Sequence, residues 1–154
     1  KARGWRNIDG KWYYFIISAL KGSQNLDGEK YYFDPVNCDM QTGWVSIQEA
    51  SGTKRYYYDP ESGKQLSGWQ DIDGKRYYFG LYGAYSGRIS GLDGKDYYFD
   101  SDTCELKIGW IQLGKYKYYA DPNDGGALAT SKTLIIDGIS YTFDSGGTLI
   151  NNIP

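Results

Sequence analysis

One short phrase recurs along the whole chain: a Gly-Trp pair, then an Asp-Gly pair, then a Tyr-Tyr-Phe triplet, with little sequence between the copies. Seven copies can be recognised, with boundaries near residues 4–20, 21–42, 43–67, 68–86, 87–108, 109–130 and 131–154. Repeats of about 20 residues cannot bury their apolar faces alone, so they stack on their neighbours. We therefore expect residues 1–154 to form a single repeat domain with an extended surface suited to binding.

A longer period lies over the short one, because the first three copies resemble the next three in detail. Corresponding residues are separated by 64, 66 and 66 positions in the pairs Gly4 and Gly68, Trp44 and Trp110, and Cys38 and Cys104. This spacing indicates that a block of three repeats was duplicated. The seventh copy lacks Trp and has Thr142 where Tyr is usual, which is typical of a terminal capping repeat.

Each copy has the pattern of a β-hairpin. Asp-Gly pairs supply the positive φ angles of a type I′ turn between two short strands. These pairs are Asp9-Gly10, Asp27-Gly28, Asp73-Gly74, Asp93-Gly94 and Asp137-Gly138. Asp-Pro or Gly-rich linkers end the second strands, and no segment shows useful helical periodicity. The sequence therefore predicts an all-β solenoid of seven stacked hairpins.

The second strand of each hairpin has two different faces, because side chains alternate with a period of two. The second and fourth motif positions are aromatic almost throughout, as in Tyr31 and Phe33, which predicts the stacked core. The third position is Tyr in six copies: Tyr14, Tyr32, Tyr57, Tyr78, Tyr98 and Tyr119. We expect an exposed tyrosine row that marks a binding surface. The alternative is that these rings, with the Gly-Trp tryptophans, close gaps between neighbouring hairpins.

Composition excludes several functions. Aromatic residues make up 18% of the chain, with 17 Tyr and 5 Trp, so these rings must supply both core and surface. A net charge of -2 with interspersed signs argues against a nucleic-acid surface. No apolar run is long enough to span a bilayer, which predicts no membrane insertion. No signal peptide is visible, and we expect a segment of a larger secreted protein whose targeting signal and any catalytic domain lie outside it.

The residue types needed for catalysis are scarce. The chain has no His and only two Cys, which removes His-based bases, catalytic triads and most zinc sites. Most Asp residues fall in turns and linkers, where local backbone bonding explains them. We therefore predict no enzymatic activity, no cofactor and no metal. Cys38 and Cys104 share one register three repeats apart, too far for a disulfide, so we expect two free thiols.

At these residues the chain resembles the cell-wall-binding repeat superfamily. Its members are the choline-binding modules of bacterial surface proteins and lytic enzymes, the glucan-binding repeats of glucansucrases, and the repetitive carboxy-terminal regions of large clostridial toxins. The motif of Gly-Trp, Asp-Gly-Lys and Tyr-Tyr-Phe carries the resemblance, which covers essentially the entire chain. It implies a left-handed β-solenoid with about three repeats per turn.

The resemblance also implies positions for ligand sites. In the choline-binding branch a cage forms from the Gly-Trp tryptophan, an aromatic residue at the first motif position and a tyrosine of the next repeat. Carried over, the one complete cage is Trp5, Trp12 and Tyr32. The other sets are Trp44, Arg55 and Tyr78, then Trp69, Arg76 and Tyr98, and a broken set of Trp110, Lys117 and Thr142. Met40 and Leu66 correspond to an apolar residue that often lines these clefts.

Arg and Lys at the first position disfavour a quaternary ammonium ligand, because they remove an aromatic ring and add like charge. A sugar could instead stack on Trp and accept hydrogen bonds, and Arg could hold phosphate. The first hypothesis is thus a non-catalytic module that anchors a secreted bacterial protein to a cell-surface or extracellular glycan or teichoic acid. The second is recognition of choline on teichoic acid, centred on Trp5, Trp12 and Tyr32. The third is a structural spacer or self-assembly repeat.

Overall fold

The computed structural model describes residues 3–153, with side chains through residue 150. In this part of the chain all regular structure is β-strand, apart from one 3-10 turn at Pro122–Asp124. The first nine strands are β1 (Gly4–Ile8), β2 (Lys11–Phe15), β3 (Gly22–Leu26), β4 (Glu29–Phe33), β5 (Gly43–Glu49), β6 (Gly52–Tyr58), β7 (Gly68–Ile72), β8 (Lys75–Gly80) and β9 (Gly83–Ala84). The others are β10 (Gly87–Leu92), β11 (Lys95–Phe99), β12 (Gly109–Leu113), β13 (Tyr116–Asp121), β14 (Ala127–Leu128), β15 (Lys132–Ile136), β16 (Ile139–Phe143) and β17 (Leu149–Ile153).

The strands form seven small antiparallel sheets, one for each predicted repeat. Four sheets have two strands and three have a short third strand. The chain divides into two compact units: one contains residues up to Gln70 with Phe79–Ala84, and the other contains Asp71–Tyr78 with residues from Tyr85 onward. Among residues 3–153 no helix is long and apolar enough to cross a membrane. The all-β hairpin architecture predicted from the sequence is confirmed.

The hairpin turns have the predicted conformation. In the first hairpin, Ile8 pairs with Lys11, so that Asp9 and Gly10 form a two-residue loop. Their φ angles are 51° and 80°, the doubly positive combination of a type I′ turn. The other Asp-Gly pairs have the same sign at both positions. The Asp-Gly pair therefore determines where these five hairpins reverse.

The core is the stack of second and fourth motif positions, as predicted. Phe33 and Phe99 are fully buried, and Tyr58 is 1% exposed. In the sixth hairpin the fourth position is the small Ala120, which is also fully buried and packs with Ile111 and Leu128. A change of side-chain size at this position is thus accommodated by neighbouring aliphatic residues.

The opposite face of a hairpin is covered by the core face of the next one. Tyr32 lies 6.2 Å from Tyr58, and Tyr119 lies 6.5 Å from Phe143, measured between ring centroids. Both third-position tyrosines are half-buried. For these residues the gap-filling alternative describes the structure, and they do not form an exposed row.

The linkers close through a recurring Asp turn. Asp34 accepts hydrogen bonds at Oδ1 from the backbone N–H groups of Val36 and Asn37, and Asp59 and Asp100 do the same in later linkers. Two backbone hydrogen bonds of this kind stabilise each carboxylate and lower the pKa of Asp34 and Asp59. The pKa of Asp100 is lowered first by its ion pair with Lys107 and then by the same two bonds.

Both cysteines lie in these turns, and neither forms a disulfide bond. Cys38 and Cys104 have φ angles of 66° and 64°, a left-handed conformation that Gly63 adopts with φ 70° in its own linker. Each cysteine therefore occupies the left-handed position of its Asp turn, which accepts a small side chain.

At two linkers, a backbone hydrogen bond ties an apolar residue to an earlier hairpin. The N–H of Met40 donates to the carbonyl oxygen of Trp12 at 2.7 Å, and the N–H of Leu106 donates to that of Arg76 at 2.8 Å. The acceptor in each case belongs to a first motif position. These bonds bring an apolar linker side chain next to the first-position side chain of a hairpin.

Candidate functional site

Two tryptophans, a tyrosine and a methionine surround a cleft in the amino-terminal unit. The first cleft is lined by Trp5, Trp12, Tyr31, Met40, Glu61 and Ser62, and it encloses about 380 Å³. The rings of Trp5 and Trp12 lie 6.5 Å apart at an interplanar angle of 82°. Tyr31 lies 5.0 Å from Trp5 at 67°. Three steeply inclined rings therefore face a common space.

Hairpin register explains why the two tryptophans share a face. Trp5 pairs with Tyr14, and Asn7 pairs with Trp12, across β1 and β2. Residues two apart on a strand point to the same side, so these four side chains occupy one face of the hairpin. Trp12 is 46% exposed, whereas Trp5 is half-buried against Tyr14, Tyr31 and Phe33. Trp5 supports the cleft and Trp12 forms its open side.

Two linkers complete the first cleft. Met40 is brought there by its backbone hydrogen bond to Trp12, and Gly63 leaves room for the Met40 side chain. A Cβ atom at Gly63 would collide with the Met40 sulfur. Glu61 and Ser62, from the Asp59 turn, line the rim and place a carboxylate beside the rings. The cleft thus combines aromatic faces, an apolar thioether and one negative charge.

The structure places Tyr31, where the resemblance implied Tyr32, at the first cleft. Tyr31 belongs to the core face of the second hairpin, and this face covers Trp5. Tyr32 points to the opposite side and packs near Tyr58. The sequence did contain a relevant signal, because the period-two alternation of the second strand assigned Tyr31 to the core face. The alternation did not indicate that this core face contacts the tryptophan of the preceding hairpin.

The same geometry recurs at Trp110 in the carboxy-terminal unit. Tyr141 lies 4.8 Å from Trp110 at 71°, so the next-repeat tyrosine is present and Thr142 is not the relevant residue. The Trp110 set, which the sequence indicated to be broken, therefore lacks an aromatic residue only at the first motif position. There the Nζ of Lys117 lies 4.3 Å from the centroid of the Trp110 ring.

Trp44 has a similar arrangement in the amino-terminal unit. The guanidinium carbon of Arg55 lies 4.3 Å from the centroid of the Trp44 ring, and Phe79 lies 5.5 Å from it. Arg55 occupies the first motif position, as Lys117 and Trp12 do in their hairpins. At two Gly-Trp sites a cation of the protein itself therefore lies over the indole face.

A second cleft, of about 440 Å³, lies in the carboxy-terminal unit and is strongly charged. Its lining includes Asp71, Lys75, Arg76, Glu105, Leu106 and Ile108. Arg76 donates two hydrogen bonds to Asp71, at 2.8 and 3.0 Å, and this interaction lowers the pKa of the Asp71 carboxyl. In the charged cleft, Arg76 and Leu106 take the places that Trp12 and Met40 have in the first cleft.

The other predicted site residues lie in different surroundings. Tyr78 packs near Tyr85, with ring centroids 5.0 Å apart and the rings tilted by 37°. Tyr98 lines a cleft of about 340 Å³ together with Trp110, Asp100 and Lys107. Trp69 is half-buried on β7. In residues 3–153 no group of three or more potential metal-binding side chains is found.

The clefts, repeats and hairpins together define a class of protein. Residues 20–67 match the choline-binding repeat family, and residues 4–15 and 67–80 match the putative cell wall binding repeat family. The amino-terminal half of the chain therefore carries repeats of the choline-binding-type, cell-wall-binding superfamily. Repeats of this class act as binding modules.

Particular relatives support the assignment. The chain is 32% identical to choline binding protein F of Streptococcus pneumoniae, whose structure was solved in the presence of a peptidoglycan analogue; the TM-score is 0.82, with 97% of this chain and 47% of that chain covered. The modular autolysin LytC of the same organism shares the fold, with a TM-score of 0.65, 18% identity, and 96% of this chain and 34% of that chain covered. Glucosyltransferase-I of Streptococcus downei is 26% identical over 145 residues, which is 90% of this chain and 9% of that protein. The chain thus spans less than half the length of these relatives.

Proposed function

We propose that this chain is a non-catalytic module that holds its parent protein on a cell-surface polymer, and that the first cleft binds the quaternary ammonium group of choline. The observation that carries the proposal is the convergence of Trp5, Trp12 and Tyr31 on one space beside Glu61. The solenoid arrangement, with about three repeats per turn, and an extracellular or cell-wall location belong to the same proposal.

The chemistry of the first cleft suits a bulky quaternary ammonium group, which has no N–H donors. Cation–π attraction is worth about 0.5–2 kcal/mol per ring, and three rings share the cleft. Met40 adds a polarizable apolar contact. Glu61 adds a favourable negative charge at the rim. Choline therefore takes precedence over a neutral sugar at this cleft, although the sequence alone favoured a glycan or teichoic acid.

A glycan is the second candidate ligand, and the charged cleft favours it. Arg76 and Asp71 present paired hydrogen-bonding groups, while Leu106 and Ile108 supply an apolar floor. Sugars need both kinds of surface, because their hydroxyls are polar and their C–H faces are not. The similarity to a glucosyltransferase supports this candidate as well. A spacer would bind neither ligand.

The proposal is tested by intrinsic Trp fluorescence during titration with choline chloride and, separately, with a soluble glucan. We expect a saturable choline response that Trp12→Ala abolishes. The fold should survive, since Trp12 is 46% exposed, and circular dichroism would verify this. Tyr116→Ala is the matched control, because Tyr116 is 48% exposed and lies outside the first cleft.

An unchanged choline response in folded Trp12→Ala would contradict a choline site at the first cleft. A response to glucan that is lost in Arg76→Ala would instead establish the charged cleft as the binding site. Silence with both ligands would favour the spacer.

A further inference from the structure

We infer that Lys117 and Arg55 are internal ligands of the Trp110 and Trp44 sites, and that these two side chains decide which clefts accept an ammonium ligand. The inference rests on the proposed choline chemistry of the first cleft. It assigns a specificity-determining role to the first motif position of each hairpin.

The Trp110 site carries the argument because its aromatic support is already in place. Tyr119, Tyr141 and Phe143 surround Trp110 at centroid distances of 4.9, 4.8 and 6.1 Å. Trp5 has equivalent neighbours in Tyr14, Tyr31 and Phe33, at 5.2, 5.0 and 5.9 Å. The aromatic support of the two tryptophans is therefore closely matched.

The sites differ at the first motif position. In the first hairpin this position holds Trp12, whose ring lies 6.5 Å from that of Trp5. In the sixth hairpin it holds Lys117, whose ammonium lies 4.3 Å from the centroid of Trp110. A tethered cation on the indole face competes with any free cation and repels it as well. The Trp110 site is thus supplied with its own ammonium group.

Arg55 provides a second, independent instance. Its guanidinium carbon lies 4.3 Å from the Trp44 centroid, the same separation as for Lys117 and Trp110. The two cations differ in shape and hydrogen bonding, yet both lie over the ring. The shared feature is the charge at the first motif position, and the choice between ring and cation there determines the number of ammonium sites.

The experiment replaces the internal ligand with a ring in a chain that lacks the first cage. Trp12→Ala is combined with Lys117→Trp, and choline binding is measured by isothermal titration calorimetry and Trp fluorescence. We expect the double variant to bind one choline per chain with an affinity within about tenfold of the wild-type first cleft. Trp12→Ala combined with Lys115→Trp adds a ring outside the site and should bind no choline.

A folded Trp12→Ala/Lys117→Trp variant without choline binding would overturn the inference. If that variant does not fold, Trp12→Ala/Arg55→Trp tests the same role at Trp44, with the same expected stoichiometry and the same contradicting result. The proposed function is judged separately, on Trp12→Ala alone. If Trp12→Ala still binds choline, the first cleft is the wrong site, while one additional choline in the Lys117→Trp variant would still support the internal-ligand role.

Discussion

Glu29 and Lys64 form a 3.0 Å ion pair between the second hairpin and the linker that follows the third, and its charges are reversed relative to equivalent pairs. The equivalent pairs are Lys11 with Asp39, Lys75 with Glu105, and Lys95 with Asp124. In every pair the hairpin residue immediately precedes the first motif position. The two partners carry opposite charges in all four pairs, although the hairpin residue is acidic in one pair and basic in the other three. Charge complementarity therefore helps to match these linkers to their hairpins.

Charge reversal at one end of this pair should destabilise the fold, and reversal at both ends should restore it. Glu29→Lys places two ammonium groups together, whereas Glu29→Lys with Lys64→Glu re-forms the attraction. We expect a lower Tm for the single variant and near wild-type Tm for the double one. Because both side chains are largely exposed, the difference should be small and should shrink at high salt.

Glu29→Lys with Lys11→Glu is the control for that experiment. It has the same composition and net charge as the restoring variant, but it leaves both ion pairs mismatched. Its Tm should stay at or below that of Glu29→Lys. Equal Tm values for the two double variants would contradict specific pairing.

Substitution of Gly63 should affect both stability and the first cleft. Gly63 has a φ of 70°, and a Cβ atom there would collide with Met40. Gly28 has a φ of 86° with open space around it, so Gly28→Ala adds backbone strain of about 1–2 kcal/mol and nothing else. We expect Gly63→Ala to cost more free energy of unfolding than Gly28→Ala in urea titrations. Choline affinity should fall only in Gly63→Ala, and equal losses in both variants would argue against a role for Met40.

The buried tyrosines predict a loss of stability in alkali. Burial, followed by the hydrogen bond to Glu49, raises the pKa of Tyr56 to about 12, and burial likewise raises the pKa of Tyr58 to about 12. The ordinary value is about 10. A raised folded-state pKa stabilises the protein fully below the unfolded pKa, and this contribution disappears as pH rises through the folded pKa. The free energy of unfolding should therefore fall between about pH 10 and 12.

Urea titrations at several alkaline pH values would measure this slope. Tyr58→Phe removes one titrating group while keeping its ring, so its slope should be shallower than that of the wild type. Lysines whose pKa is raised by carboxylate partners, such as Lys64, contribute a slope of the same sign. An identical slope in Tyr58→Phe would show that Tyr58 contributes nothing to the effect and leave it to Tyr56 and the lysines.

Much of the site was predictable because its chemistry is local to the motif. The resemblance placed Trp5 and Trp12 in one cage and named Met40 as a residue of the kind that lines such clefts, and the structure brings the three side chains together. Glu61 was missed, since it lies in a linker two hairpins away and only its place in the Asp59 turn distinguishes it. The assignment of Tyr32 depended on a resemblance that does not specify which face of the next hairpin covers the tryptophan.

The sequence by itself determined the hairpins, their turns and the two faces of each strand. Asp-Gly geometry and period-two alternation act between neighbouring residues, so they need no tertiary context. Only the tertiary structure decided that the core face of one hairpin covers the tryptophan of the preceding one, which selects Tyr31 and Tyr141. It also decided that Lys117 and Arg55 lie over indole rings. Alternation separates two faces of a strand, but the neighbour that each face meets depends on how whole hairpins stack.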